Sequence, residues 1–181
     1  DTELSFIQSC IRARTGDDLH ARLTKIIDVT GIGNVYGFAR ALTEIHDRQR
    51  IYILHDNEMS EDMTEAITRL DLAEENLFRS GNKEFEDAFD SETLCAAWSD
   101  YLERIGKTVP ESWTAENIET LRQECNKDST RKFSGSLRSL NAGSGTAMKK
   151  PVFGLALGEY VSRIGSMPDT IGRLIALLES A

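Results

Sequence analysis

Leu4, Ile7 and Ile11 recur at helical spacing in TELSFIQSCIRAR, which predicts an amphipathic helix over residues 2–14. After the polar loop TGDDLHAR, the run KIIDV is continuous and β-branched, and predicts a strand. TGIGN breaks that run, VYGFARALTEIHDR resumes helical periodicity, and IYIL (51–54) predicts a second strand. Ser60 is a candidate N-cap for a helix over EDMTEAITRL, and NLF, ahead of the turn RSGNK, predicts a third short strand. Strands alternating with helices in this order predict an α/β fold with a small parallel sheet.

From Glu84 onward the pattern becomes helical. EFEDAF, SETLCAAWSDYLERIG and TAENIETLRQECN all predict helices, the last with Thr114 as N-cap. GSLRSLNAGSGTAM reads as a Gly/Ser-rich hinge with room for a helical turn inside, and Pro151 and Pro168 each open a further helix from the N1 position. The chain divides into an α/β core over 1–90, a helical insertion with a basic hinge over 91–148, and C-terminal helices over 149–181. Trp98 and Trp113, in the helical half, read as core residues in preference to an interface.

At 181 residues and 40% hydrophobic content, the chain can bury one good core. It contains no uninterrupted apolar run of about 18 residues, the length of a spanning helix, and no basic-then-apolar leader. It opens without Met and already in helical pattern, which suggests a piece of a longer chain. Cys10, Cys95 and Cys125 match neither a zinc spacing nor a disulfide framework, and read as small buried thiols of a reducing, cytoplasmic setting. His20, His46 and His55 are too scattered for a His-based metal site.

The net charge of −9 opposes non-specific nucleic-acid binding by the whole surface, but its distribution is uneven. Residues 1–128 carry 14 Lys/Arg against 27 Asp/Glu, and residues 129–181 carry 7 against 3. Arg131, Lys132, Arg138, Lys149 and Lys150 fall in a stretch, 129–158, that contains no acid at all. Such a chain suits cation binding in its body and polyanion contact along one segment.

Asp56 and Glu58 stand where the strand IYIL ends, and ligands of parallel α/β sheets sit at the carboxyl ends of strands. Paired carboxylates repel unless a cation neutralises them, and a hard divalent ion such as Mg²⁺ takes oxygen ligands. Glu58, with Glu61 and Asp62, also suits a helix N-terminus, where each acid gains ~0.3–1 kcal/mol. Three further segments bear on the choice. DTEL puts Glu3 in the first turn of the opening helix. In GNKEFEDAFD, Phe85 and Phe89 form an apolar face with Glu86 lying off it. In MKKPVF, Lys149 and Lys150 precede a helix whose macrodipole they oppose.

Taken in order, these segments resemble the TOPRIM nuclease domain of the OLD (overcoming lysogenization defect) family. DTE resembles the last three positions of that family's opening motif, Glu-Gly-x-(Thr/Ser)-(Glu/Asp), whose leading Glu, Gly and strand would precede Asp1. KIIDVTGIGNVYGFARAL resembles the next strand, glycine turn and helix. IYILHDNE resembles the strand ending in Asp-x-Asp, with Glu58 for the second Asp. KEFED resembles the later acidic motif, and KKP the late Lys before the final helices. The likeness covers residues 1–89 and roughly 149–178; the helical stretch between does not align.

The resemblance implies a TOPRIM-like, Rossmannoid core and metal-dependent hydrolysis of DNA by two Mg²⁺ or Mn²⁺ ions. It assigns Asp56 and Glu58 to one ion together with the leading Glu, and Glu3 and Glu86 to the second. Lys150, or its neighbour Lys149, would stabilise the transition-state phosphate. The basic residues Arg131, Lys132 and Arg138 would track the DNA backbone. Family members couple this domain to an ATPase, often in phage defence; GSGTAMKK is not a Walker A loop, so ATP would act only through an upstream domain or subunit. A homo-oligomer or larger complex and no membrane are expected, and without the leading Glu the piece should be catalytically crippled. Two rivals stand. TGIGNVYG followed by Asp56 has the outline of a Rossmann-like nucleotide site, although its glycines run G-x-G-x-x-x-G. An inactive TOPRIM-like scaffold binding a partner protein is the other.

Overall fold

A computed structural model describes residues 2–19, 21, 24–27, 29, 34–55, 65, 67–128 and 130–180, the side chain of Glu74 excepted. In chain order its principal elements are α1 (Thr2–Thr15), α2 (Val35–Ile45), β1 (Ile53–His55), β2 (Leu77–Arg79), α3 (Ser91–Arg104), α4 (Ala115–Lys127), α5 (Phe133–Leu140), α6 (Lys150–Ile164) and α7 (Asp169–Ser180). Short 3-10 turns punctuate them, and among the described residues no helix is long and apolar enough to cross a membrane.

The strands pair in parallel, Ile53 opposite Leu77, Leu54 opposite Phe78 and His55 opposite Arg79. Why IYIL is apolar without alternation follows from its two faces. Ile51 and Ile53 pack with Ile67, Leu72 and the α2 residues Val35 and Leu42, whereas Tyr52 and Leu54 pack on the main core. Leu77 and Phe78 divide in the same way. A sheet covered on both faces has no solvent side to mark with polar residues. The α/β class, the parallel pairing and the mostly helical second half are therefore present.

The main core joins α1 to the helical half. Phe6 of α1 meets Phe85 and Phe89 at ring-centre distances of 5.2 and 5.3 Å, and Trp98 and Trp113 are both buried. The closest helix pairing is α1 on α6, and glycines permit it. A Cβ on Gly154 would collide with the Thr2 carbonyl, and one on Gly158 would lie 2.7 Å from the Phe6 carbonyl oxygen. Ser9 Oγ donates to the Leu155 carbonyl at 3.0 Å across the same seam.

Several sequence expectations need correction. Lys25, Ile26, Ile27 and Val29 of the KIIDV segment are not strand. A strand requires a ladder partner, and the two-stranded sheet of the described residues offers this segment none; Ile26 packs on the main core while Ile27 is 36% exposed. The predicted hinge contains a true helix, α5, because Phe133 and Leu137 lie four apart and both are buried. EFEDAF forms one 3-10 turn, Phe85–Ala88, in place of an α-helix. Pro151 is the second residue of α6, so Lys150 lies inside the helix and Lys149 is its N-cap.

Candidate functional site

The acidic segment KEFED leaves the carboxyl end of β2 through a tight turn. Gly81, at φ +65°, is required there, since a Cβ would collide with the Glu84 carbonyl. Asp87 Oδ2 accepts the backbone N–H groups of Lys83 (3.1 Å) and Glu84 (3.0 Å) and closes the turn. The charged residues then separate by task. Lys83 Nζ donates to the carbonyls of Cys125 (2.6 Å) and Asp128 (3.2 Å), satisfying the end of α4. Glu84 accepts the N–H and Oγ–H of Ser134, at 2.9 and 2.7 Å, and caps α5. Arg122 of α4 donates to the carbonyls of Asp87 (3.2 Å) and Phe89 (2.6 Å) and lies over the Phe133 ring. The turn is clamped from the helical half at three points.

Glu86 alone of these acids turns toward α1. It is 2% exposed, and Thr2 Oγ1 donates to its Oε1 at 3.0 Å. The helical reading of EFEDAF leaves Glu86 off the buried face; in the 3-10 turn it is buried and meets Thr2 at the start of α1. Burial pushes its carboxyl above the usual range. Its own backbone N–H pulls it down, neighbouring Glu84 pushes it up, and Lys150 and the Thr2 hydroxyl pull it down. Three segments distant in sequence thus converge: the start of α1, the Phe85–Ala88 turn and the start of α6.

Glu3 is half-buried in the first turn of α1, next to Thr2. Lys150 is half-buried and Lys149 exposed. Asp56 and Glu58, the pair proposed at the end of β1, lie outside the described residues. β1 ends at His55, whose carbonyl accepts Ser80 N–H at 2.8 Å, so the ends of the two strands are tied together just ahead of both acidic motifs. Of the basic residues, Arg131 is held by Glu124 (2.7 Å) and Ser136 (3.2 Å), while Lys132 and Arg138 are exposed. Arg131 and Lys132 line one open groove, and Arg138, Lys149 and Lys150 line another. Of the three glycines of the nucleotide-site rival, Gly31 and Gly33 lie outside the described residues and Gly37 lies within α2.

Hard divalent cations seek oxygen donors. Glu86 fits in part: it is a buried carboxylate that makes no ion pair among the described residues, and an unpaired buried carboxylate is costly. Among the described residues no cluster of three or more His, Cys, Asp or Glu is arranged to hold a metal, so a complete set would also need Asp56 and Glu58. Sequence reasoning missed Thr2, whose signal was its place ahead of Glu3 in DTEL, and Asn141. Asn141 is buried, accepts Trp98 Nε1–H at 2.7 Å and donates to the Thr146 carbonyl at 2.6 Å, bracing the turn that leads to the two lysines. Comparison with protein-family models, curated proteins and solved structures finds no match to this chain.

Proposed function

We propose that this chain carries the nuclease site of a TOPRIM-like, OLD-family domain that hydrolyses phosphodiester bonds in DNA with divalent cations. The observation that supports the reading is the convergence of the α1 start, buried Glu86 and Lys150, three segments that this motif set would bring to one site. Asp56, Glu58, Glu3 and Glu86 are the residues that would hold Mg²⁺ or Mn²⁺, which when bound supply a hydroxide nucleophile at neutral pH and neutralise phosphate charge.

The chain's own groups have separate tasks. Thr2 fixes Glu86 Oε1 by a 3.0 Å bond, and Arg122 fixes the turn behind it. Lys150 supplies positive charge beside Glu86, on the side where α6 also presents its positive end. An ATPase domain or subunit, a homo-oligomeric assembly and a role in antiviral defence in the cytoplasm complete the proposal.

The test is plasmid nicking with Mg²⁺ or Mn²⁺ in a chain that supplies the expected Glu and Gly ahead of Asp1. Asp56→Ala and Glu86→Gln should abolish nicking, and Lys150→Ala should slow it by about 10²–10³-fold. No cation-dependent nicking, or nicking untouched by Asp56→Ala, would overturn the proposal. The scaffold rival draws on one observation of its own, that Lys83, Glu84 and Asp87 are all engaged in structural bonds; it requires a stable protein complex and no nicking with any cation.

A further inference from the structure

Arg138, Lys149 and Lys150 line one open groove of about 680 Å³, together with Asn141, Thr146 and Pro151. That volume is within the ~300–1,000 Å³ range of ligand sites. None of the three cationic side chains makes an ion pair or hydrogen bond among the described residues. Elsewhere in this chain of net charge −9, Arg14, Arg48, Arg104, Arg122 and Arg163 each hold a carboxylate within 4 Å, while among the described residues Arg50, Lys107, Lys127 and Lys132 hold none. Three cations in one concavity raise each other's free energy. The N-terminus of α6 adds to the field, since its N-cap is Lys149 and no side chain caps it. Charge and helix dipole both favour an anion in this groove.

The wall is braced before any ligand arrives. Asn141 ties Trp98 to the Thr146 carbonyl, and Ser144 Oγ both donates to that carbonyl (3.1 Å) and accepts Thr146 N–H (3.1 Å). The lining includes Lys150, the residue at the start of α6 that the proposed site also uses. We infer that this groove binds the sugar–phosphate backbone of a nucleic-acid strand, whereas the Arg131–Lys132 groove does not take part. Arg131 is already held by Glu124 and Ser136, and its groove shares no lining residue with the first. An anionic lipid surface fits less well: interfacial binding needs apolar side chains beside the cations, and none of the exposed large apolar residues lines the groove.

The identity of the polymer rests on the nuclease reading, but binding is measurable without cleavage. The assay is fluorescence anisotropy of a short labelled oligonucleotide with the whole chain in EDTA, over a range of salt. Arg138→Glu and Lys149→Glu should each weaken binding about tenfold or more and flatten the plot of log K against log salt by roughly 0.7 for each phosphate no longer neutralised. Lys132→Glu should change affinity by less than about twofold. Wild-type affinity in Arg138→Glu and Lys149→Glu, equal loss in Lys132→Glu, or binding to phosphatidylserine vesicles without oligonucleotide binding would overturn the inference. Groove-dependent binding without cation-dependent nicking sinks only the nuclease reading. Nicking that survives Arg138→Glu and Lys149→Glu sinks only the groove.

Discussion

Gly154→Ala adds one methyl group at the place where α6 comes closest to α1. That carbon would overlap the Thr2 carbonyl oxygen and lie 3.0 Å from Thr2 C and 3.2 Å from Phe6 N. All three are backbone atoms, so no rotamer change relieves the overlap, and α1 must move outward. Overpacking of this kind costs about 1–3 kcal/mol, and a clash with backbone belongs at the upper end. Ala recovers roughly 0.8–1 kcal/mol over Gly in a helix interior. The net loss is about 2 kcal/mol, or roughly 4–8 °C in Tm for a chain of this size. Gly172, inside α7, is the internal control, with nothing within 4 Å of its would-be Cβ. Gly172→Ala should gain up to about 1 kcal/mol and raise Tm by a few degrees. Thermal melts followed by circular dichroism read both. Equal Tm changes in the two variants, or a stabilised Gly154→Ala, would refute the close seam that brings Thr2 to Glu86.

Three further outcomes are expected. Glu86 has its folded pKa raised by burial, so its contribution to stability is full below its ordinary value of 4.5 and is lost as pH rises through the folded value; denaturation midpoints of wild type minus Glu86→Gln should fall over that window, and a flat difference would contradict the burial. Ser134→Ala removes a 2.7 Å hydroxyl bond from buried Glu84 and should cost about 1–3 kcal/mol in urea unfolding, against no change if the cap is incidental. Cys10 is fully buried with its thiol pushed up to about 12, and Cys125 is buried too, so near pH 8 a disulfide reagent should find at most Cys95 in the native protein and all three thiols after unfolding.

The legible parts of the sequence were those whose neighbours are local. Helix α1 announces itself through Leu4, Ile7 and Ile11, and Thr114 caps α4 as its position implies, accepting Asn117 N–H at 3.2 Å. IYIL could be read as a strand because both its faces are covered. KIIDV has the same β-branched character, yet pairing is not a property of the segment. Ser, Gly and Arg around Phe133 and Leu137 masked the four-residue spacing that makes α5. At the site, the order of acidic and basic motifs was visible, but their separate tasks were not. Nothing local distinguishes Glu84, which caps α5, from Glu86, two residues later and turned toward α1; the choice depends on Ser134 and Thr2, far along the chain in either direction.

The central claim is that acids from separate segments gather with Glu86 around divalent cations. Titration of the chain with Mn²⁺, with bound ion counted by electron paramagnetic resonance, tests it most directly. Saturable binding should be weakened about tenfold or more by Glu86→Gln and by Asp56→Ala, with both variants folded. Binding that is absent, or identical in wild type and both variants, would contradict it.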